Sequence, residues 1–367
     1  EAMEGPNPAS ILRNSVVVTC GAIVLMKLMP IVQLSPVATD VLLAVGAISA
    51  IGGALVSLAQ VDLKRAFSYS TTSYLGLVFI AIALQLPGIA LLLLFAHGLA
   101  RALQFMGVGS IIATTNCQDL TELGGIGTRM PATSLAFIIG SAGVVGLLPL
   151  GSFWCYGLMV NSLQDSAPGF AVVFLLTNLL TATNSTRVYR SLFLGKPLPK
   201  TKRAPEVNWL MALPMVSLSV IVLLLPAMMQ RIDPVPGIAS FSLPVAGAVS
   251  VSGLIGVVIG ALIPLDQFWS RSTTPWIRTL QDLLAYDFYT PEIYRRTVVS
   301  LVANLAQFTR WVDLNVIKAM ADGVGNLSMA TANGLKLSVS GKTQSYVLTV
   351  LLAIVLLLGV LQLGRGG

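Results

Sequence analysis

Charged side chains, histidine and paired cysteines are all scarce in this chain. Lys, Arg, Asp and Glu make up 10% of its 367 residues, whereas soluble globular proteins carry about 25%. The three cysteines, Cys20, Cys117 and Cys155, show no paired spacing, so no disulfide framework is implied. Because His97 is the single histidine, we expect no metal site and no cofactor in this chain, whether zinc, haem or iron–sulfur.

Motifs of enzymes that act on soluble substrates are also lacking. No nucleophile elbow, phosphate loop or dinucleotide fingerprint lies between a strand and a helix, and the glycines of residues 124–127 fall in a polar loop. The chain opens without a basic region before an apolar core, so we expect no signal peptide, and it resembles the middle of a longer sequence. The net charge of +7 is spread over loops, which favours membrane topology over nucleic-acid binding.

Long apolar runs dominate what is present. Hydrophobic residues make up 55% of the chain and the mean hydropathy is +0.83, values typical of a polytopic membrane protein. The predicted fold class is therefore an all-α transmembrane helix bundle. Basic residues fall mainly on one side of its spans, which the positive-inside rule assigns to the cytoplasm. Each span approaches the ~20 residues that a bilayer needs, and the nine predicted spans are about 15–33, 37–59, 67–85, 88–115, 132–149, 168–190, 207–229, 243–265 and 345–364.

A break is predicted after the fifth span, where residues 149–154 begin with Pro149 and are followed by a weakly apolar stretch. One interpretation is a helix that breaks at membrane depth and then resumes, as helices lining cavities do. The other is a plain loop with a short interfacial helix, because proline and glycine are common at loops.

Residues 266–344 are too polar to span a membrane, yet apolar residues recur there at spacings of three and four. The pattern predicts a surface amphipathic helix of about 28 residues that starts near Thr290 and either lies at the membrane interface or braces neighbouring subunits. Asp313 on this helix either pairs with a basic group or faces water. The predicted regions are a bundle (1–265), a lateral helix (266–344) and an anchoring span (345–367). The apolar positions are Tyr294, Val298, Leu301, Leu305, Phe308, Val312, Val316 and Ala319.

His97 and Arg101 lie four residues apart inside a predicted span, so they share one helix face. Ionisable groups in hydrocarbon are expensive and often mark a proton or ion route. Histidine exchanges protons near neutral pH, whereas arginine stays charged and can only set the local field and order water. The alternative, weighed equally, is a structural arginine beside a hydrogen-bonded core histidine.

Lys64 lies between the second and third predicted spans. Its spacing by itself favours a short cytoplasmic loop with positive-inside charges. The functional alternative is a lysine that reaches into the bundle, where it is a better proton carrier than arginine. The hydroxyl-rich residues 68–74 that follow either line a hydrated path or form hydrogen bonds between helices.

Several segments resemble the antiporter-like subunits of complex I and, among these, the NdhF subunit of the photosynthetic NAD(P)H dehydrogenase-like complex. The likeness covers essentially the whole chain. It is closest to the inducible carbon-dioxide-uptake variants of NdhF in cyanobacteria. The segments are Glu4-Gly5-Pro6-Asn7-Pro8-Ala9-Ser10, Asp62-Leu63-Lys64-Arg65-Ala66-Phe67-Ser68-Tyr69, residues 97–105, Pro149-Leu150-Gly151-Ser152-Phe153-Trp154, Leu194-Gly195-Lys196-Pro197, Tyr286-Asp287-Phe288-Tyr289 and residues 338–349.

The resemblance implies a proton pathway formed here by Lys64, His97, Arg101 and Tyr156. Lys64 is the one family lysine that carries over, whereas Arg101 stands where the family has lysine and Tyr156 aligns with its distal lysine. A family histidine falls on Asn14. The resemblance therefore implies a modified channel in which Lys64 and His97 are the proton exchangers.

The resemblance also implies structural or coupling roles for Asp313 and Pro149. It implies a distal membrane-arm subunit of a ferredoxin:plastoquinone-type relative of complex I, with no redox centre of its own, that couples electron transfer to proton translocation and supports carbon dioxide hydration.

Implied partners are an NdhD-type membrane neighbour, a carbonic-anhydrase-like protein and lipids, without nucleic acid, in the cyanobacterial thylakoid membrane. The alternatives are a cation/proton antiporter subunit of the sodium type and a mainly structural anchor for the carbonic-anhydrase-like partner, which the lost lysines favour.

Overall fold

The chain folds into helices. The computed structural model describes residues 5–231, 242–262, 275–339 and 341–363. Regular structure in these ranges is helical, which confirms the all-α prediction. The described helices are α1 (Asn7–Val32), α2 (Pro36–Ala59), α3 (Leu63–Ala83), α4 (Pro87–Thr115), α5 (Pro131–Val144), α6 (Gly151–Leu163), α7 (Pro168–Phe193), α8 (Trp209–Arg231), α9 (Leu243–Leu262), α10 (Pro275–Ala285), α11 (290–338) and α12 (Thr343–Leu363).

The helices form two compact units, Glu1–Phe288 and Tyr289–Gly367. In the first unit, α3 and α4 are buried along much of their length, and α1, α8 and α9 present mostly exposed apolar side chains. Such an exposed apolar surface suits contact with lipid or with other membrane helices. The division by sequence at residues 265 and 344 stays a prediction.

Eight of the described helices are long and apolar enough to cross a membrane, namely α1–α4, α7–α9 and α12. The prediction of a continuous span at residues 132–149 is wrong, because α5 ends at Val144 and the chain resumes helical structure at Gly151. The interruption includes Pro149, which lacks the backbone N–H that a helix interior requires. The fifth predicted span is therefore the short helix α5, and α6 follows after the break.

The backbone groups freed by this break are bonded within the bundle. The Gly146 amide donates to Oδ1 of Asn178 at 2.8 Å, and the Ser152 hydroxyl donates to the Gly143 carbonyl at 2.5 Å. The Asn178 amide also donates to the Val249 carbonyl at 3.1 Å. Most of α6 is buried, which fits a broken and resumed helix and not an interfacial one.

The helix α3 begins four residues earlier than predicted. The Asp62 carboxylate accepts a hydrogen bond from the Arg65 amide at 2.9 Å, which caps the helix N-terminus. Helical structure therefore starts at Leu63, and Lys64 lies in the first turn of the helix instead of in a loop. This turn fixes the direction in which the lysine side chain leaves the backbone.

The helices α2 and α3 pack backbone against backbone. A β-carbon added at Gly76 would lie 2.5 Å from the Ala50 nitrogen, and one added at Gly53 would lie 2.8 Å from the Ser73 nitrogen. The Ser73 hydroxyl donates to the Ala50 carbonyl. Because the two backbones are this close, we infer that α2 and α3 move as one body.

In the second unit, α11 runs as one continuous helix from Thr290 to Ser338, with π-helical segments at 295–299 and 313–317. It is longer than the predicted 28 residues, and at 1.5 Å per residue it extends about 70 Å. The apolar positions predicted for one face, including Leu301 and Phe308, are exposed within this chain. The last helix, α12, agrees with the predicted final span.

Candidate functional site

The helix α4 carries two buried ionisable residues in the first unit. His97 and Arg101 are both 0% exposed, four residues apart on one face of the helix. Arginine is among the residues least often buried without partners, so its surroundings decide what this site can do.

Neutral groups surround Arg101. Its Nη2 donates to the Ser70 hydroxyl at 2.9 Å and its Nη1 donates to Oε1 of Gln104 at 2.8 Å. The guanidinium also lies 5.6 Å from the centre of the Phe67 ring, and the Gln104 amide continues to the Ser141 hydroxyl at 3.1 Å. Within the described ranges Arg101 has no carboxylate partner. Its charge therefore acts as a fixed field stabilised by dipoles and an aromatic face.

His97 stacks on Tyr74 and has no hydrogen-bonding protein partner. The two ring centres are 4.2 Å apart with planes inclined by 25°. In the part of the chain that the structure describes, neither imidazole nitrogen is hydrogen-bonded. The described residues therefore use neither its donor nor its acceptor. A role for His97 in proton exchange stays a prediction.

Tyr156 joins the same cluster from the resumed helix α6. Its ring centre is 6.2 Å from that of Tyr74 in an edge-to-face arrangement, and 5.9 Å from that of Phe174. Because the helix breaks at residues 145–150, which include Pro149, α6 is a separate helix and places Tyr156 in this cluster. The coupling role of Pro149 itself stays a prediction.

Lys64 is buried at the start of α3, 3% exposed. Its Nζ donates to the Gly5 carbonyl at 3.0 Å. The interpretation as a solvated loop lysine is therefore wrong, and the lysine points into the bundle toward the N-terminal segment. The structure does not join it by a direct hydrogen bond to the Arg101 network. Lys64 and His97 are thus two separate buried ionisable groups, and their exchange of protons stays a prediction.

A second buried arginine was not predicted as a site residue. Arg187 on α7 donates to the Gln60 carbonyl at 2.9 Å and to Oδ1 of Asn184 at 3.2 Å. The Asn184 amide continues to the Ser57 hydroxyl at 2.7 Å. By the positive-inside rule, Arg187 counts among the basic residues assigned to the cytoplasmic side. One sequence feature could have indicated this site. Asn184 and Arg187 are three residues apart inside an apolar span, so their side chains lie on the same helix face.

Asp313 lies exposed on α11, and no partner for it is found within the described ranges. This fits the expectation that it faces water in the isolated chain, and its pairing with a neighbouring subunit stays a prediction.

The loops at one end of the bundle carry their own ion pair. Lys200 pairs with Glu122, whose carboxylate also accepts from the Cys117 thiol at 3.2 Å. Hydrogen bonding to Lys200 lowers the pKa of Glu122, and the same bond raises the pKa of Lys200. Burial raises the pKa of the Cys117 thiol. Nearby, Glu206 accepts from the Ala132 amide at 2.8 Å and so caps α5.

Comparison with known proteins gives this arrangement relatives. A family profile described as "NADH:quinone oxidoreductase/Mrp antiporter, TM" matches residues 1–181. The chain is 60% identical over 362 residues to NAD(P)H-quinone oxidoreductase subunit 5, organellar chromatophore 2, of Paulinella chromatophora, covering 99% of this chain and 59% of that protein. The chain is thus similar over nearly its whole length to an NdhF-type, subunit 5 protein. It spans about 60% of the length of these relatives.

More distant relatives agree. The chain is 28% identical over 399 residues to the chloroplastic subunit 5 of Mesostigma viride, covering 99% of this chain and 60% of the relative. It is 36% identical over 200 residues to NADH-ubiquinone oxidoreductase chain 5 of Sus scrofa, covering 53% and 33%. A chain of the archaeal membrane-bound sulfane sulfur reductase shares the fold, with a TM-score of 0.56 at 17% identity, covering 71% of this chain and 52% of that one.

Proposed function

We propose that this chain carries protons as part of the membrane arm of an NAD(P)H-quinone oxidoreductase. The observation that carries the proposal is the fully buried pair of His97 and Arg101, with a histidine free of protein hydrogen bonds. Similarity to NdhF-type proteins supports it, since these relatives are named as subunits of such oxidoreductases. The chain itself supplies no redox centre in this proposal, and electrons pass through other subunits.

Each site residue has a distinct role in the proposal. Lys64 and His97 take up and release protons, because both can change charge under conditions where arginine cannot. Arg101 supplies a fixed positive field that a proton approaching His97 has to overcome. Tyr74 and Tyr156 hold the imidazole by stacking and edge contacts and present hydroxyl groups that can orient water.

We further propose that the chain is a distal membrane-arm subunit that supports carbon dioxide uptake in a thylakoid membrane. Its motifs are similar to the inducible uptake variants of NdhF, and its distal lysine position holds Tyr156. In this proposal an NdhD-type subunit lies beside the chain, and a carbonic-anhydrase-like partner hydrates carbon dioxide with its own zinc. The electrons pass from ferredoxin to plastoquinone, and the modified channel removes the proton that hydration releases.

Lys64→Met tests proton transport by this chain. We expect ferredoxin-driven quinone reduction to continue while proton uptake into vesicles and carbon dioxide uptake fall, because Met fills similar space but cannot be protonated. The matched control is Lys196→Met, which removes an exposed loop lysine. Unchanged uptake in Lys64→Met would remove Lys64 from the proposed route.

A structural anchor is the second candidate, favoured by Arg101 being held by neutral partners and by tyrosine at the distal lysine position. An anchor would bind the complex normally, and all site variants would leave proton uptake per electron unchanged. Dependence of transport on sodium, without ferredoxin or quinone, would instead favour a sodium-type antiporter.

A further inference from the structure

The segment 284–288 joins α10 to the residue before α11 and is attached to the bundle. Leu284 is buried, 5% exposed. The Gln60 amide, at the end of α2, donates to the Ala285 carbonyl at 3.2 Å and to the Leu284 carbonyl at 3.5 Å. These are carbonyls of the last turn of α10, which have no partner inside their own helix. Gln60 therefore caps α10 from the body of the bundle.

A left-handed turn follows this cap. Asp287, Phe288 and Tyr289 have φ angles of 54°, 53° and 56°, and none is glycine. Left-handed backbone is unfavourable for residues with a β-carbon and persists only when surrounding contacts hold it. Phe288 has such a contact, because a β-carbon at Gly52 on α2 would lie 3.7 Å from its ring.

The Asp287 carboxylate interacts with the Tyr69 hydroxyl on α3. The next residue on α3, Ser70, accepts the hydrogen bond from Arg101. Two adjacent residues of α3 therefore contact both features. Ser70 accepts a hydrogen bond from Arg101, and Tyr69 interacts with Asp287 in the left-handed segment. Because α2 and α3 pack without a gap at Gly53 and Gly76, a shift of α3 at Ser70 moves Gln60 and Tyr69 together.

We propose that Gln60, Tyr69 and Asp287 form a latch that holds the segment 284–288 on α2 and α3 and passes changes at the Ser70–Arg101 contact to the start of α11. The transmission half rests on the proposed function, since it needs Arg101 to take part in transport. The latch residues are positioning residues and carry no proton of the route. Arg187 on α7 also helps to hold Gln60 in position, because its guanidinium donates a hydrogen bond to the Gln60 carbonyl.

Hydrogen–deuterium exchange on the intact membrane complex tests the latch. Tyr69→Phe removes the hydroxyl that contacts Asp287, and Gln60→Leu removes the side-chain amide that donates to the Leu284 and Ala285 carbonyls. We expect amides of residues 285–290 to exchange about fivefold faster in either variant, the effect of losing one typical hydrogen bond. We also expect fewer protons translocated per electron. Asp282→Asn, an exposed carboxylate on α10, is the control and leaves both readouts unchanged.

The two readouts separate the possible failures. Unchanged exchange in both latch variants overturns the latch and leaves the proposed proton transport untouched. Faster exchange with unchanged protons per electron overturns the transmission half, provided that His97→Phe stops transport in the same preparation. If His97→Phe transports normally, the proposed function fails and the transmission half fails with it, while exchange still decides whether the latch exists.

Discussion

At the residue scale, the unusual feature is a buried guanidinium held by Ser70, Gln104 and the Phe67 ring. Removing one partner of a buried charge commonly destabilises by several kcal/mol, while a charge surrounded by fixed dipoles needs little rearrangement to act. Arg101 can therefore set the electrostatic potential at His97 without itself moving a proton. This division of roles makes separate predictions for the charge and for the bonds that hold it.

Gln104→Leu tests the support of the guanidinium. The substitution leaves Nη1 of Arg101 and the Ser141 hydroxyl without this partner, so we expect a loss of about 1.5–3 kcal/mol, as for hydrogen bonds to charged groups. Thermal unfolding of the complex, followed by loss of this subunit on native gels, measures the change. Gln164→Leu, an exposed residue beyond the end of α6, is the control. A midpoint equal to the wild type would show that Gln104 does not stabilise the charge.

The residues that hold the helix break give a second residue-scale prediction. Asn178→Leu leaves the buried Gly146 amide without its hydrogen-bond acceptor and removes the bonds from Asn178 to the Val249 carbonyl and the Ser252 hydroxyl. An unsatisfied buried group costs about 1–3 kcal/mol. We expect a lower unfolding midpoint and loss of α6 packing. The matched control is Asn161→Leu, which is exposed on α6. Equal midpoints for the two variants would contradict this role of Asn178.

At the element scale, close packing of α2 on α3 makes the bundle intolerant of added volume. Gly76→Val adds side-chain atoms where even a β-carbon lies 2.5 Å from backbone, so we expect at least the roughly 1–3 kcal/mol typical of overpacking and poor incorporation of the subunit. Gly88→Val, where nothing lies within 4 Å, is the control. Normal assembly of Gly76→Val would show that the two helices can separate, contrary to their movement as one body.

The attachment of segment 284–288 has a predicted pH dependence. Burial raises the pKa of Asp287 above its ordinary value of 3.8, and the groups facing it are Tyr69 and, beyond it, Arg65. The attached form therefore binds its proton more tightly than a detached form. Attachment is strongest below the ordinary value and weakens as the pH rises toward the raised pKa. Exchange at residues 285–290, corrected for intrinsic rates, should show this trend in the wild type. Asp287→Asn should lack it, and a trend of the opposite sign would contradict the assignment.

At the scale of the whole molecule, α11 exposes an apolar face within this chain. Leu305 is 55% and Phe308 63% exposed, and apolar surface of this kind marks a partner or a lipid contact. Leu305→Lys should therefore reduce co-migration with other complex I-type subunits on blue-native gels. Asn304→Lys, one residue away and outside the apolar repeat, should not. Equal co-migration of both variants would show that this face is not needed for assembly.

The same gels, with mass spectrometry of a tagged copy, test the larger assembly. The carbon-uptake proposal predicts a carbonic-anhydrase-like protein in the same band as the membrane-arm subunits. Migration with a small antiporter set, or alone, would contradict it.

Sequence patterns predicted the apolar helices and the pair His97 and Arg101, because both depend on local spacing. They left Lys64 and the hydroxyl-rich residues open, and the structure shows Ser70 and Ser73 bonding to other groups in the bundle. Asn178, Arg187 and Gln60 were not predicted, since their partners lie far away in sequence. The length of α11 was underestimated because its later turns lose the apolar repeat while remaining helical.

The most direct test of the central claim is proton translocation per electron in the His97→Phe complex. Phenylalanine keeps a ring to stack on Tyr74 but has no exchangeable proton, so packing is preserved while proton exchange is lost. We expect normal quinone reduction with strongly reduced proton uptake. Full proton uptake with a normally assembled complex would contradict it and leave the buried pair with a structural role.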